Sequence, residues 1–295
     1  MKKFIFKSTI FFIVAVISFV AFCFFVCSTR ENTLKLPNNV NIVFLGNSHI
    51  ECDINDSIIS NSFNFARSND YPEQIYCKLK LLKQYNPQLD TIVIGYDNVL
   101  MEQDLTEEFQ GIYSPFYYDL YSNEDICNII KNSSFKYCVS HFYQPFNIHK
   151  IGQALPSLWD KSTDITHMKN LGRYEYLVRD KLQQHIDLQK DKVAKQSTFD
   201  YLSKYYLKKI IKICKDNDMT VIFLATPQHY KSKIDTITYK QYHQQNFSEI
   251  PFYDLRNMQL PDSCFGDLNH LNYKGARIFS EYLDKEVLHK NNYKK

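Results

Sequence analysis

The sequence predicts an α/β protein: a three-layer sandwich around a mostly parallel central sheet, preceded by one membrane-spanning helix. Three observations predict it. Short apolar runs at Ile42–Leu45, 91–94 and Thr220–Ala225 each stop at a glycine or a Thr-Pro pair, as strands buried on both faces do. Segments with helical spacing of apolar residues lie between those runs, the alternation expected of α/β units. Ahead of them, residues 8–27 are almost purely apolar and about long enough to cross a bilayer core as a helix.

Lys2, Lys3 and Lys7 precede that apolar stretch, which exceeds the usual core of a cleaved signal peptide and is followed by a poor small-x-small cleavage site. Residues 1–29 therefore read as an uncleaved signal anchor. A lipid-modified cysteine would be Cys23 or Cys27, but bulky Phe22 and Val26 stand just before them. The leading lysines favour a cytoplasmic N-terminus, which places the rest of the chain outside the cytoplasm, single-pass on the cytoplasmic membrane. Residues 30–39 are a polar linker, and residues 40–290 form the α/β domain.

In order, Ile42–Leu45 is the first strand and Gly46-Asn47-Ser48-His49 a polar turn after it. Residues 52–62 carry a helix-like apolar side through Ile54, Ile58 and Ile59. Pro72 opens a helix reaching Tyr85, with Ile75, Leu79 and Leu82 on one face; Asn86-Pro87 ends it. The strand at 91–94 closes at Gly95, followed by Tyr96-Asp97-Asn98. From 100 to 195 the alternation breaks down, and this stretch reads as an insertion or cap, with one helical stripe over 170–193 through Tyr174, Val178, Leu182 and Ile186. A helix over 197–217, the strand Thr220–Ala225, a polar helix over 236–247, a short strand at 252–255 and a closing amphipathic helix from Tyr273 complete the pattern.

The formal charge is +3, part of it contributed by the lysines before the apolar stretch, so no nucleic-acid-binding surface is indicated. Tyr and Phe number 22 each against 7 Gly, which suits a packed core and excludes a low-complexity chain. Two of the eight cysteines lie in the apolar helix. The other six, Cys52, Cys77, Cys127, Cys138, Cys214 and Cys264, could pair or remain buried thiols. Cys138 with His141 and His149 lacks a fourth ligand at a recognisable spacing, so neither metal nor cofactor is expected.

A serine directly after a buried strand lies where parallel sheets bind ligands, which makes Ser48 a nucleophile candidate; alone, the pattern reads more readily as a capping turn. Asp267 and His270 stand three residues apart before the last helix. That separation lets a carboxylate reach the Nδ1 side of the imidazole and leaves the other nitrogen free for a serine proton. His49 reads as a structural or pocket residue, because neighbouring side chains leaving one turn diverge.

Together, Gly-Asn-Ser-His after the first strand and Asp-Leu-Asn-His-Leu-Asn before the last helix resemble the SGNH hydrolase superfamily of GDSL-like esterases and acyltransferases. The resemblance covers about Val40 to Leu288. The run His-Leu-Asn-Tyr-Lys-Gly-Ala is similar to membrane-anchored members associated with cell-envelope polysaccharide and teichoic-acid modification. It implies an SGNH/flavodoxin-like sheet and a Ser48, His270 and Asp267 triad. It also implies an oxyanion site built from the backbone N–H groups of Ser48 and Ala66 with the Asn98 side chain. Ala66 stands where the family has a glycine, and Asn98 is shifted from the family's asparagine. The implied function is a serine esterase or O-acyltransferase acting on acylated envelope glycans. The alternative is an inactive envelope protein of the same fold that binds a polysaccharide or assembly partner.

Overall fold

The structure is a computed structural model that describes residues 2–28, 35–97, 122, 124–125, 172–178, 180–189, 201–232 and 237–288. The chain forms two compact units, Met1–Thr33 with Leu105–Asp164, and Leu34–Asp104 with Ile165–Lys295. In the first, helix α1 (Lys2–Ser28) includes a 20-residue stretch, Lys3–Phe22, that is long and apolar enough to cross a membrane. The sheet and the residues around Ser48 belong to the second.

The five strands are β1 (Ile42–Leu45), β2 (Ser62–Asn64), β3 (Thr91–Gly95), β4 (Thr220–Ala225) and β5 (Phe252–Asp254), all paired parallel in the order β2-β1-β3-β4-β5. This is the doubly wound flavodoxin-like order, whose direction of winding reverses between β1 and β3. The apolar runs are strands because both faces are covered. Phe44, Val93 and Leu224 join one core with Ile50 and Ile54 and with Phe279 and Leu283 near the C-terminus. By alternation Val43, Ile92 and Phe223 face the other way. On that side Tyr96 stacks on Phe223 at 4.6 Å between ring centroids, with Phe247 and Phe252 edge-on to it.

Helix α2 (Ser48–Asp53) follows β1, and α3 (Pro72–Tyr85) begins at the expected proline. Then come α4 (Leu182–Gln189), α5 (Tyr201–Lys215), α6 (Ile237–Asn246) and α7 (Tyr273–Tyr282), whose last turn widens to a π-helix over Leu283–Leu288. α3 packs on α5, and α7 on α2, which supplies the two outer layers of the sandwich.

Two expectations differ from the structure. The helix after β1 occupies 48–53, not 52–62, because Asn47 caps it at the start and the Asn64 side chain donates to the Ile50 and Ile54 carbonyls at its end. Among the described residues of the stripe over 170–193, only α4 is helical. Residues 172–178 form no helix because their backbone is bonded elsewhere: Arg173 N–H to Ala66 O, Glu175 N–H to Glu51 O, and Leu177 O from Tyr273 N–H. A side chain at Gly172 (φ +143°) would lie 2.4 Å from Phe65 O, so only glycine permits this approach. Most of residues 100–195, the stretch expected to be an insertion or cap, including Cys127, Cys138, His141 and His149, lies outside the described residues.

Candidate active site

β1 ends at Gly46 and β3 at Gly95, and both glycines are pressed against Ile50. A Cβ on either would come within 2.7 Å (Gly46) or 2.5 Å (Gly95) of Ile50 Cγ1. That closeness seats α2 directly over the switch point, in the crevice where parallel sheets bind ligands. Asn47 caps α2 by accepting the His49 N–H at 3.0 Å. Ser48 is then the first helical residue, whose amide has no intrahelical acceptor.

The far end of the chain meets it there. Asp267, almost fully buried, accepts hydrogen bonds from the backbone N–H groups of Asn269 (2.9 Å) and His270 (3.0 Å). Those bonds fold 267–270 into a tight turn that brings His270 Nδ1 to 2.9 and 3.1 Å from the two Asp267 carboxylate oxygens. His270 Nε2 lies 2.9 Å from Ser48 Oγ. With Nδ1–H donated to Asp267, Nε2 carries the lone pair and accepts the Ser48 hydroxyl.

The turn is tied down from behind. Asp53, at the last position of α2, accepts Leu271 N–H at 2.7 Å and the Thr226 hydroxyl at 2.5 Å. One buried carboxylate thus links the helix of Ser48, the end of β4 and the residue after His270. Burial pushes Asp53 up to about 8, against the pull of His49 and its two hydrogen bonds, so it holds a proton at neutral pH. On the opposite side His49 Nδ1 stands 2.8 Å from Asp97 Oδ2, and Asn47 Nδ2 donates to both Asp97 oxygens at 3.2 Å. Burial lowers the proton affinity of His49, but the Asp97 carboxylate, by its charge and its hydrogen bond, leads the opposing influences that leave it above the ordinary value. Sequence reasoning placed Asp97 only in a polar turn and did not single out Asp53. Asp97 stands two residues after the end of β3, whereas Asp53 closes the short helix after β1.

Ala66 lies just after β2. Its amide donates to Asn64 Oδ1 at 3.0 Å, its carbonyl accepts from Arg173, and the next amide, Arg67, donates to Gly46 O at 3.0 Å. The Ala66 N–H is therefore engaged within its own turn. Asn98 lies outside the described residues. Among the described residues no group of three or more His, Cys, Asp and Glu is arranged to hold a metal ion, and Cys52, Cys77, Cys214 and Cys264 are buried. A shallow cavity beyond β4 and β5, lined by His229, Tyr230, Arg256 and Phe265 among others, adjoins the turn, since His229 N–H donates to Leu268 O at 3.1 Å. Ser48 and His270 are not in its lining.

The strand order, the serine after β1 and the Asp-x-x-His turn before the last helix coincide in one three-layer sheet. The fold is a three-layer α/β sandwich on a parallel five-stranded sheet. A protein-family model matches residues 176–292, which contain Asp267 and His270 but make up less than half of the chain. No curated protein matches. Similar solved structures include a candidate acylhydrolase from Bacteroides fragilis, 13% identical over 90% of this chain and 94% of that one at a TM-score of 0.38. They also include a GDSL-like lipase from Bacteroides thetaiotaomicron, 10% identical over 92% and 100% at a TM-score of 0.35. Likenesses this distant bear on neither activity nor substrate, which must be argued from the site.

Proposed function

We propose that this protein is a serine esterase or O-acyltransferase of acylated cell-envelope glycans, anchored to the cytoplasmic membrane by α1 with its α/β domain outside the cytoplasm. The observation that carries the reading is the continuous hydrogen-bonded line from Ser48 through His270 to Asp267. Ser48 Oγ forms a bond to the ester carbonyl carbon while its proton passes to His270 Nε2. Collapse of the tetrahedral intermediate breaks the bond to the leaving alcohol, which takes that proton. Water, or a sugar hydroxyl, then attacks the acyl-enzyme with His270 again as base. Asp267 holds the imidazole in the required tautomer, and its two backbone bonds keep it oriented.

The negative charge on the carbonyl oxygen falls to the Ser48 N–H, with the Asn98 side chain proposed as a second donor. One such donor typically contributes about 2.7–4 kcal/mol to the rate. A second reading, an inactive protein that binds a polymer in the same crevice, is favoured by the engaged Ala66 amide. The two readings separate on one experiment. A serine-directed fluorophosphonate should label the protein, and Ser48→Ala should abolish labelling; equal labelling of both removes Ser48 from the mechanism. Comparison of envelope glycan O-acylation with and without the protein tests the substrate class.

A further inference from the structure

The cavity beyond β4 and β5 holds about 520 Å³, counting the space at its mouth, which is within the range of small-ligand sites. Gln228 lines it, is 9% exposed, and donates its backbone N–H to Arg256 O at 3.1 Å. Its side-chain amide has no hydrogen-bond partner among the described residues. A buried amide left so is costly unless a ligand or solvent meets it. Tyr230, 71% exposed, tilts against His229 at 4.4 Å between centroids and keeps most of its ring in solvent. With Asn257 and Gln259 the lining is rich in amides. An amide offers donors and an acceptor together, which matches a sugar hydroxyl, itself both donor and acceptor. An anion is served less well. Arg256 has its Nε and Nη2 edge on the two Asp254 oxygens at 2.7 Å each, so the fork that would grip a phosphate on that edge is already committed.

The same loop clasps the turn of Asp267 and His270. His229 N–H donates to Leu268 O at 3.1 Å, and the Ser232 hydroxyl donates to Asn269 Oδ1 at 3.0 Å. Phe265, in the cavity lining, is bridged to Leu271, the residue after His270. We propose that this cavity is a sugar subsite: it takes one uncharged residue of the glycan, hydrogen-bonded by the Gln228 amide and stacked on Tyr230, beside the unit whose ester meets Ser48. The ligand class rests on the glycan reading above. Gln228 and Tyr230 are binding residues and take no part in bond making.

The test is direct binding to the full chain in detergent, in wild type and in Ser48→Ala, which removes the proposed nucleophile. Calorimetry with millimolar tetrasaccharides of glucose and of N-acetylglucosamine supplies the neutral arm, and glycerol phosphate oligomers the anionic one. At least one tetrasaccharide should bind to both proteins, and the anionic oligomer should not displace it. Gln228→Met keeps the side-chain volume, removes the amide, and should weaken sugar binding about three- to tenfold. Tyr230→Ala should weaken it at least as much, and Tyr230→Trp, which keeps an aromatic face, should stay within about twofold of the parent. Neither tetrasaccharide bound, glycerol phosphate bound in preference, or a sugar affinity unmoved in both Gln228→Met and Tyr230→Ala overturns the inference. Should Gln228→Met lose its thermal transition, the Tyr230 pair decides alone, since that side chain is at the surface. Sugar binding without Ser48-dependent fluorophosphonate labelling of wild type removes the acyl-transfer reading and keeps the subsite. Labelling without sugar binding removes the subsite and keeps Ser48.

Discussion

Asp53 Oδ1 accepts the Leu271 N–H at 2.7 Å, so the helix that opens with Ser48 is bolted to the residue that follows His270. The two halves of the Ser48–His270 hydrogen bond come from opposite ends of the chain, and Asp53 fixes their separation. Asp53→Ala leaves the Leu271 amide and the Thr226 hydroxyl without this acceptor. It should lower the fluorophosphonate labelling rate at least tenfold and stability by about 1–3 kcal/mol. Asp53→Asn reproduces the protonated acid and should stay within a few-fold; equal loss in both would mean that the charge, not the hydrogen bonds, matters.

The same carboxyl sets a pH dependence of stability. Its ordinary value is 3.8 and its folded value about 8, so between them the native state keeps a proton that the unfolded chain releases. Stability from this group is therefore fully present below about pH 4 and is lost as pH rises toward 8. Asp70, raised by burial to about 6 beside Lys78, acts in the same direction. Urea midpoints at pH 5 and 8 should fall more steeply in wild type than in Asp53→Asn; parallel lines would refute the assignment.

His270→Ala should lower labelling and p-nitrophenyl acetate hydrolysis by about 10³-fold or more. Its thermal midpoint should change little, because Asp267 retains two backbone donors, from Asn269 and from residue 270 itself. Undiminished hydrolysis would point to another base.

Gly172 lies against the Phe65 and Ala66 carbonyls at a backbone angle that side chains rarely adopt. Gly172→Ala should cost about 1–3 kcal/mol, read as a lower thermal midpoint. An unchanged midpoint would show that residues 172–178 are not held to the sheet.

If α1 anchors the chain, the full-length protein should stay with membranes through alkaline carbonate extraction, and a chain beginning at Lys35 should be released. Retention of the shortened chain would place the membrane contact elsewhere.

Much of this fold is legible locally. Ile42–Leu45 and Thr220–Ala225 are strands with the bounds that their apolar runs suggest. Helices α3 and α7 begin at Pro72 and Tyr273, as their sequences indicate, because burial pattern and capping residues are properties of neighbouring positions. The Asp267–His270 pairing is likewise a short-range fact of one turn. Residues 172–178 show where local reading ends. Their apolar spacing suits a helix, yet their amides and carbonyls find partners on Ala66, Glu51 and Tyr273, which no periodicity can reveal.

The sequence by itself determined the parallel α/β architecture, the apolar N-terminal helix and the identity of Ser48, Asp267 and His270 as candidates. Only the tertiary structure decided that Ser48 and His270 meet, that Asn64 takes the Ala66 amide, and that Asp53 and Asp97 close around them. Strands and turns are set by neighbours in sequence. Hydrogen-bond partners in a buried crevice are set by which strand ends the sheet order brings together, and by the requirement that each polar group enclosed there be satisfied.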